Sequence, residues 1–159
     1  MGATFTTAEI LAATGGTLVQ TGAWSTFCGV STDSRTCQAG EIYIPLSGER
    51  HDGHEFIPGA LRRGARAVLV EKRILGEKSV GAGFKPALTT GLNLASEITV
   101  ITVADALAAL GDLARAWRGR FRVPVVAITG SCGKTTTKEM IAAVLARSFR
   151  VLKDRKSVV

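Results

Sequence analysis

HDGHEFIPGALRRGARAVLV, residues 51–70, decides the fold. Asp52 has the short acidic side chain that caps a helix, and Glu55 follows three residues on, as in a capping box. Phe56, Ile57, Ala60 and Leu61 then recur on one apolar helix face. Gly64 suits the left-handed turn that stops a helix, and RAVLV (66–70) reads as a buried strand. Just upstream, IYIPL (42–46) is a second strand, which Pro45 closes. Strand, helix, strand in that order predicts an α/β domain with some parallel pairing.

Working toward the N-terminus, STDSRTCQAGE (31–41) is polar and turn-like, and the short apolar pieces TLV (17–19) and FCGV (27–30) precede it. TTAE (6–9) fits another capping box, so a short helix is expected over 7–13. Toward the C-terminus, residues 74–96 carry glycine, lysine and threonine without a sustained period, as a long surface loop or insertion would. EITVITV (97–103) reads as a strand. Thr102 and Asp105 make a further capping signature. Val103, Leu107, Leu110, Leu113 or Ala114, and Trp117 then recur at helical spacing until Gly119. That helix is expected to link the first domain to whatever begins at Phe121.

The second informative stretch is VVAITGSCGKTTTKEM, residues 125–140. An apolar strand, a glycine turn and a helix start form the grammar of a phosphate cradle: backbone N–H groups line the turn and the helix N-terminus adds positive potential. Gly130 and Gly133 would make the turn. Lys134 would neutralise the outer phosphates, as the catalytic cation, and the Thr135 hydroxyl would hold Mg²⁺. Strict spacing of the phosphate-loop motif needs a glycine at 128, where this chain has Ile128. The strand before the loop and the helix after it carry the reading instead.

Bulk properties narrow the alternatives. With 159 residues the chain has room for one domain, or a small one plus part of another. Apolar residues at 46% against 21% charged argue for a folded core. No apolar run reaches the roughly 18–20 residues that cross a bilayer, and MGATFTTAEI lacks the pattern of a secretion signal. A cytoplasmic protein without membrane insertion is expected. Cys28, Cys37 and Cys132 form no CxxC pair and no disulfide framework. His51, Asp52 and His54 lack further ligands at metal-site spacing, so helix capping by Asp52 is the simpler account, with His54 left as either a substrate or a structural contact. The net charge of +7 gathers at RAWRGRFR (115–122) and at Lys153, Arg155 and Lys156. No aromatic-interleaved recognition motif accompanies it, so nucleic acid is not the expected partner.

AITGSCGKTTTKEM resembles the ATP loop of the Mur ligase family, in which the first glycine is displaced. GVSTDSR, AGEIYIPLSGERHDGHEFIPGALRRGARAVLVEK and VADALAALGDLARAWRGRF are similar to the N-terminal region of the same family. The resemblance implies an ATP-dependent ligase of peptidoglycan precursor synthesis, monomeric, that forms an amide through an acyl phosphate. Within the family it favours the branch joining D-alanyl-D-alanine to UDP-N-acetylmuramoyl-tripeptide. The sibling that adds the third amino acid, and a UDP-sugar-binding module without catalysis, are the alternatives. It further implies ATP binding by Gly130, Ser131, Cys132, Gly133, Lys134, Thr135 and Thr136, and Mg²⁺ at Thr135. Ser34 and Arg35 would lie at the UDP end of the substrate, unless Asp33 and Arg35 merely pair to brace the turn.

The implied organisation is a UDP-substrate-binding domain over 1–101, a linker helix over 102–120, and the first strand, loop and helix of a P-loop ATPase domain over 121–153. A ligase of this kind needs further strands and a third domain, so the chain alone is expected to be inactive, with apolar surface uncovered at 125–129. The closing residues DRKSVV (154–159) depart from the family pattern. A short-read sequencing adapter translates to the same six residues, so a non-native tail is expected there.

Overall fold

The computed structural model describes residues 3–48, 52–75 and 97–154. The expectations for His51, for most of the 74–96 loop and for residues 155–159 of the tail lie outside them. By contacts the chain divides into two compact units, 1–121 and 122–159.

The first unit is built on a five-stranded sheet. Its strands are β2 (Thr17–Gln20), β4 (Val30–Ser31), β5 (Ile42–Tyr43), β6 (Ala67–Glu71) and β7 (Thr99–Val103), in the order β2-β7-β6-β5-β4. The pairs β4–β5, β5–β6 and β6–β7 are parallel, whereas β2 runs antiparallel to β7 at one edge. A separate antiparallel pair joins β1 (Phe5–Thr6) to β3 (Thr26–Phe27). The mixed α/β architecture expected from residues 42–70 is the one observed.

A parallel strand covered on both faces needs an unbroken apolar run, because successive side chains point to opposite sides. β6 shows this directly. Ala67 and Leu69 join Phe5, Ile10, Ile101 and Leu113 in one core cluster. Val68 and Val70 join Tyr43, Ile57, Leu61 and Val100 in another. Helices α1 (Thr7–Thr14) and α4 (Ala106–Gly119) contribute to the first cluster and α2 (Ile57–Arg62) to the second.

The helix starts are set by local chemistry. Thr6 caps α1, and Glu9 returns the bond to the Thr6 backbone N–H at 2.8 Å, which completes the box read from TTAE. Asp52 caps a single 3-10 turn, Gly53–Phe56, which runs into α2. Gly64 then takes φ +98° against Ala39, a conformation and a spacing that a side chain would disturb. For α4 the cap is Asp105 alone, accepting from the Ala108 N–H at 2.6 Å. Thr102 plays no part in it. It sits buried in β7 and donates to the Thr17 carbonyl at 3.3 Å.

The apolar face of α4 is also rotated from the expected one. Ala106, Ala109 and Leu113 are buried, with Leu110 and Trp117 packed beside them, while Leu107 is 67% exposed. The end of α4 is tied to the chain's start. Arg120 stacks over Trp117 at 4.8 Å and Phe5 at 5.4 Å, and bonds Glu9 at 2.8 Å and the Thr4 carbonyl at 2.9 Å. A short helix α3 (Lys72–Leu75) follows β6.

The second unit holds α5 (Lys134–Leu145), preceded by the glycine turn. Its expected strand at 125–129 does not form: those residues have no ladder partner, and Val125 is 67% exposed. A strand is a paired structure, and an apolar run without neighbours has nothing to pair with. None of the described residues from 122 to 154 is buried. On α5, Met140 and Val144 are exposed. Within the unit, Lys138 donates to the Asp154 carbonyl at 2.9 Å, and Lys153 pairs with Glu139.

Candidate functional site

In sheets with parallel strands, ligand sites form where the chain leaves the carboxyl ends of the strands. Polar side chains gather at those ends here. The turn after β4 carries Asp33, Ser34 and Arg35; the segment after β5 carries Ser47, Asp52 and His54; Glu71 ends β6 and Arg73 follows it; Asp105 follows β7.

The turn after β4 is a closed local unit. Asp33 accepts from the Arg35 backbone N–H at 2.9 Å, and its two oxygens take the Arg35 Nε and Nη2 at 3.0 and 2.7 Å. The side-chain bonds from Arg35, then its backbone N–H, lower the Asp33 carboxyl to about 2. The Ser31 hydroxyl donates to the Asp33 carbonyl at 3.0 Å, and the Thr36 N–H does so at 3.2 Å. Arg35 therefore braces its own turn in this structure while its guanidinium stays open to solvent. Ser34 is half-buried and faces α2: a Cβ placed on Gly59 would stand 3.7 Å from the Ser34 hydroxyl.

A second polar cluster is centred on Asp52. Its Oδ1 accepts from the His54 backbone N–H at 3.0 Å, stands 2.6 Å from His54 Nδ1, and is 3.1 Å from the Ser47 hydroxyl. These bonds, the His54 backbone N–H first, hold the carboxyl below its usual range. Tyr43, at the end of β5, donates its hydroxyl to the Gly53 carbonyl at 3.0 Å. Burial raises the Tyr43 hydroxyl, with the nearby carboxylates of Asp33 and Asp52 adding to the shift. Because β4 and β5 are paired in parallel, the turn after β4 and the Asp52 cluster after β5 share one edge of the sheet. Arg73 extends it: it pairs with Glu71, reaches the Ser47 hydroxyl at 3.5 Å, and feels Asp52 and Asp105. Glu71 also accepts from the Ala106 N–H at the start of α4, at 3.2 Å.

Sequence reasoning reached Ser34, Arg35 and Asp52 through their motifs but passed over Tyr43, Ser47, Glu71 and Arg73. The available signal was positional. Each lies at, or a few residues past, the carboxyl end of a parallel strand. Among the described residues, no three His, Cys, Asp or Glu side chains come together as a metal site.

The other candidate lies in the second unit. Gly130 has φ +150° and Gly133 φ +74°, and Gly133 is the N-cap of α5. No side chain caps α5, so its first N–H groups have no side-chain oxygen beside them. Lys134 folds back over the turn and donates to the Gly130 carbonyl at 2.6 Å. Lys134, Thr135 and Thr136 form the first helical turn, and Ser131, Cys132 and Thr135 are exposed. A three-turn helix with an uncapped N-terminus, a glycine bend and an adjacent ammonium fits an anion such as a phosphate chain. The Thr135 hydroxyl stands on that same first turn.

The Mur ligase family, catalytic domain, matches residues 26–118, more than half of the chain. The UDP-N-acetylmuramoyl-tripeptide--D-alanyl-D-alanine ligase of Synechocystis sp. is 39% identical over 126 residues, covering 79% of this chain and 24% of the relative. A UDP-N-acetylmuramoyl-L-alanyl-D-glutamate--2,6-diaminopimelate ligase of Syntrophomonas wolfei is 37% identical over 119 residues, 74% of this chain and 21% of that protein. Among solved structures, MurF of Acinetobacter baumannii superposes with a TM-score of 0.70 at 30% identity, over 92% of this chain and 28% of that one. MurF ligase of Thermotoga maritima, in complex with ADP, gives 0.56 at 31% identity over 75% of this chain and 23% of that one. The chain thus spans about a quarter of the length of the relatives it matches. Its sheet, its strand-end turns and the family match over residues 26–118 agree, and the chain belongs to the Mur ligase family.

Proposed function

We propose that the gene product containing this chain is an ATP-dependent ligase that joins D-alanyl-D-alanine to UDP-N-acetylmuramoyl-tripeptide, acting in the cytoplasm as a monomer. The observation that carries this reading is the 39% identity to ligases of that name over four-fifths of the chain. In this reading residues 1–101 bind the UDP end of the substrate, 102–120 link, and 121–153 open the ATP-binding domain. Ser34, with Arg35 released from Asp33, contacts the UDP moiety. Residues 130–136 receive the phosphates of ATP through backbone N–H groups, and Lys134 leaves the Gly130 carbonyl for the outer phosphates. Mg²⁺, held by the Thr135 hydroxyl together with the nucleotide, would offset charge on the transferring group.

The chemistry follows. The terminal carboxylate of the tripeptide attacks the γ-phosphorus, ADP leaves, and an acyl phosphate results. The amine of D-alanyl-D-alanine then attacks the carbonyl, loses a proton, and expels inorganic phosphate. One carboxylate oxygen thereby ends in that phosphate. With ¹⁸O in the carboxylate of the tripeptide, one label per turnover should appear in phosphate. Unlabelled phosphate beside a labelled amide would refute the acyl-phosphate route.

A second reading has its own support. A diaminopimelate-adding ligase is 37% identical over 119 residues. Supplying UDP-N-acetylmuramoyl-dipeptide and diaminopimelate separates the two. A UDP-sugar-binding module without catalysis would bind the nucleotide sugar and release no phosphate with either set.

A further inference from the structure

We propose that His54 Nε2 accepts a hydrogen bond from a neutral donor of the bound nucleotide sugar, a hydroxyl or the imide N–H of the base. This rests on the proposed binding of that ligand at the strand ends. It adds a residue that the resemblance did not assign.

The His54 side chain is 8% exposed. Among the described residues, its Nε2 is the one buried side-chain nitrogen or oxygen without a hydrogen-bond partner. Such atoms are rare in folded proteins and costly, because burial removes the water that would otherwise satisfy them. Asp52 Oδ1 has the His54 N–H at 3.0 Å, His54 Nδ1 at 2.6 Å and the Ser47 hydroxyl at 3.1 Å, and the Tyr43 hydroxyl has the Gly53 carbonyl at 3.0 Å.

The arrangement sets the tautomer. A carboxylate only accepts, so when the ring is neutral Nδ1 carries the proton that Asp52 receives and Nε2 presents a lone pair. A phosphate oxygen cannot serve a lone pair, whereas a ribose or pyranose hydroxyl or an imide N–H can. Location supports a ligand as the donor. The cluster follows β5 and the Asp33–Arg35 turn follows β4, the parallel strand paired with it, and Tyr43 in β5 donates to the Gly53 carbonyl beside Asp52. Since Nε2 is closed to solvent, the ligand must displace the groups that shield it, and the bond forms only in the complex.

The test separates the two ring nitrogens. In His54→Asn the amide nitrogen takes the place of Nδ1 and keeps the Asp52 contact, while Nε2 is lost. In His54→Gln the longer amide restores an acceptor near the Nε2 position. Titrating this chain with UDP-N-acetylmuramoyl-tripeptide, the Asn variant should bind about tenfold more weakly with an unchanged Tm, and the Gln variant should recover most of the loss. Uridine diphosphate and its N3-methyl derivative locate the donor. A tenfold loss confined to the N3-methyl ligand assigns the imide; equal binding of both assigns a hydroxyl. Equal affinity of the wild type and the Asn variant would overturn the inference and leave the site reading intact. No binding by the wild type would overturn both. If the Asn variant fails to fold, the ¹⁵N resonance of His54 Nε2 in the wild type decides. It should shift on adding the nucleotide sugar, and an unmoved resonance would overturn the proposal.

Discussion

Asp33 and Lys134 show how single side chains are held in waiting. Asp33 has a folded value of about 2 against its usual 3.8, caused chiefly by the Arg35 side chain and backbone. A depressed carboxyl stabilises the folded turn fully above its unfolded value and loses that contribution as pH falls through the folded one. The turn should therefore stay pinned down to about pH 4 and loosen toward pH 2. Carboxyl ¹³C titration should give a midpoint near 2, moving up toward 3.8 in Arg35→Ala. A wild-type midpoint at the usual value would show that the pair is not formed in solution. Lys134 now spends its ammonium on the Gly130 carbonyl. Lys134→Ala should lower ATP affinity of the gene product by at least tenfold and its turnover further, because the cation acts most on charge that develops in transfer. An unchanged kcat would remove Lys134 from the site.

At the scale of elements, caps and faces carry the stability of the first unit. Asp105→Ala removes the bond to the Ala108 N–H and should cost about 1 kcal/mol. Leu113→Ala opens a cavity between α4 and the sheet and should cost roughly 2–5 kcal/mol. Leu107→Ala, on the exposed side, should change stability by less than about 0.5 kcal/mol. Urea denaturation of the three variants checks the order, and a Leu107 loss equal to that of Leu113 would show that the face is assigned wrongly. This ranking also marks what was legible in the sequence. The box at Thr6, the cap at Asp52, the strand over 67–70 and the helix beginning near 106 could be read because each rests on local chemistry. The face of α4 could not: alanines at 106 and 109 look neutral in a pattern search, yet their small size lets the helix approach the sheet. Thr102 misled for a related reason, since a threonine buried in β7 and a threonine at a helix start look alike until the hydroxyl's partner is known. β3 and β4, two residues each, have too few positions to show a period.

At the scale of the molecule, the two units differ in how they are supported. The first has a sheet packed on both faces, whereas no described residue of 122–154 is buried. Hydrogen exchange should be slowest in β6 and β7 and fast throughout 124–153, and protease should cut first within that segment. Slow exchange across 124–153 would contradict the arrangement of the second unit. The strand expected at 125–129 shows why sequence reading stops short here. An apolar run announces that a strand would be buried, but only neighbouring strands decide whether one forms. A phosphate-loop pattern needs no such partners to be recognised, because its glycines and lysine lie within a few residues of one another.

The central claim is that these residues serve a ligase specific for D-alanyl-D-alanine. Phosphate release by the gene product that contains them tests it most directly. With ATP, UDP-N-acetylmuramoyl-tripeptide and D-alanyl-D-alanine all present, release should be stoichiometric with peptide product and should vanish when any one is omitted. Release with UDP-N-acetylmuramoyl-dipeptide and diaminopimelate instead, or with no acceptor at all, would contradict the account.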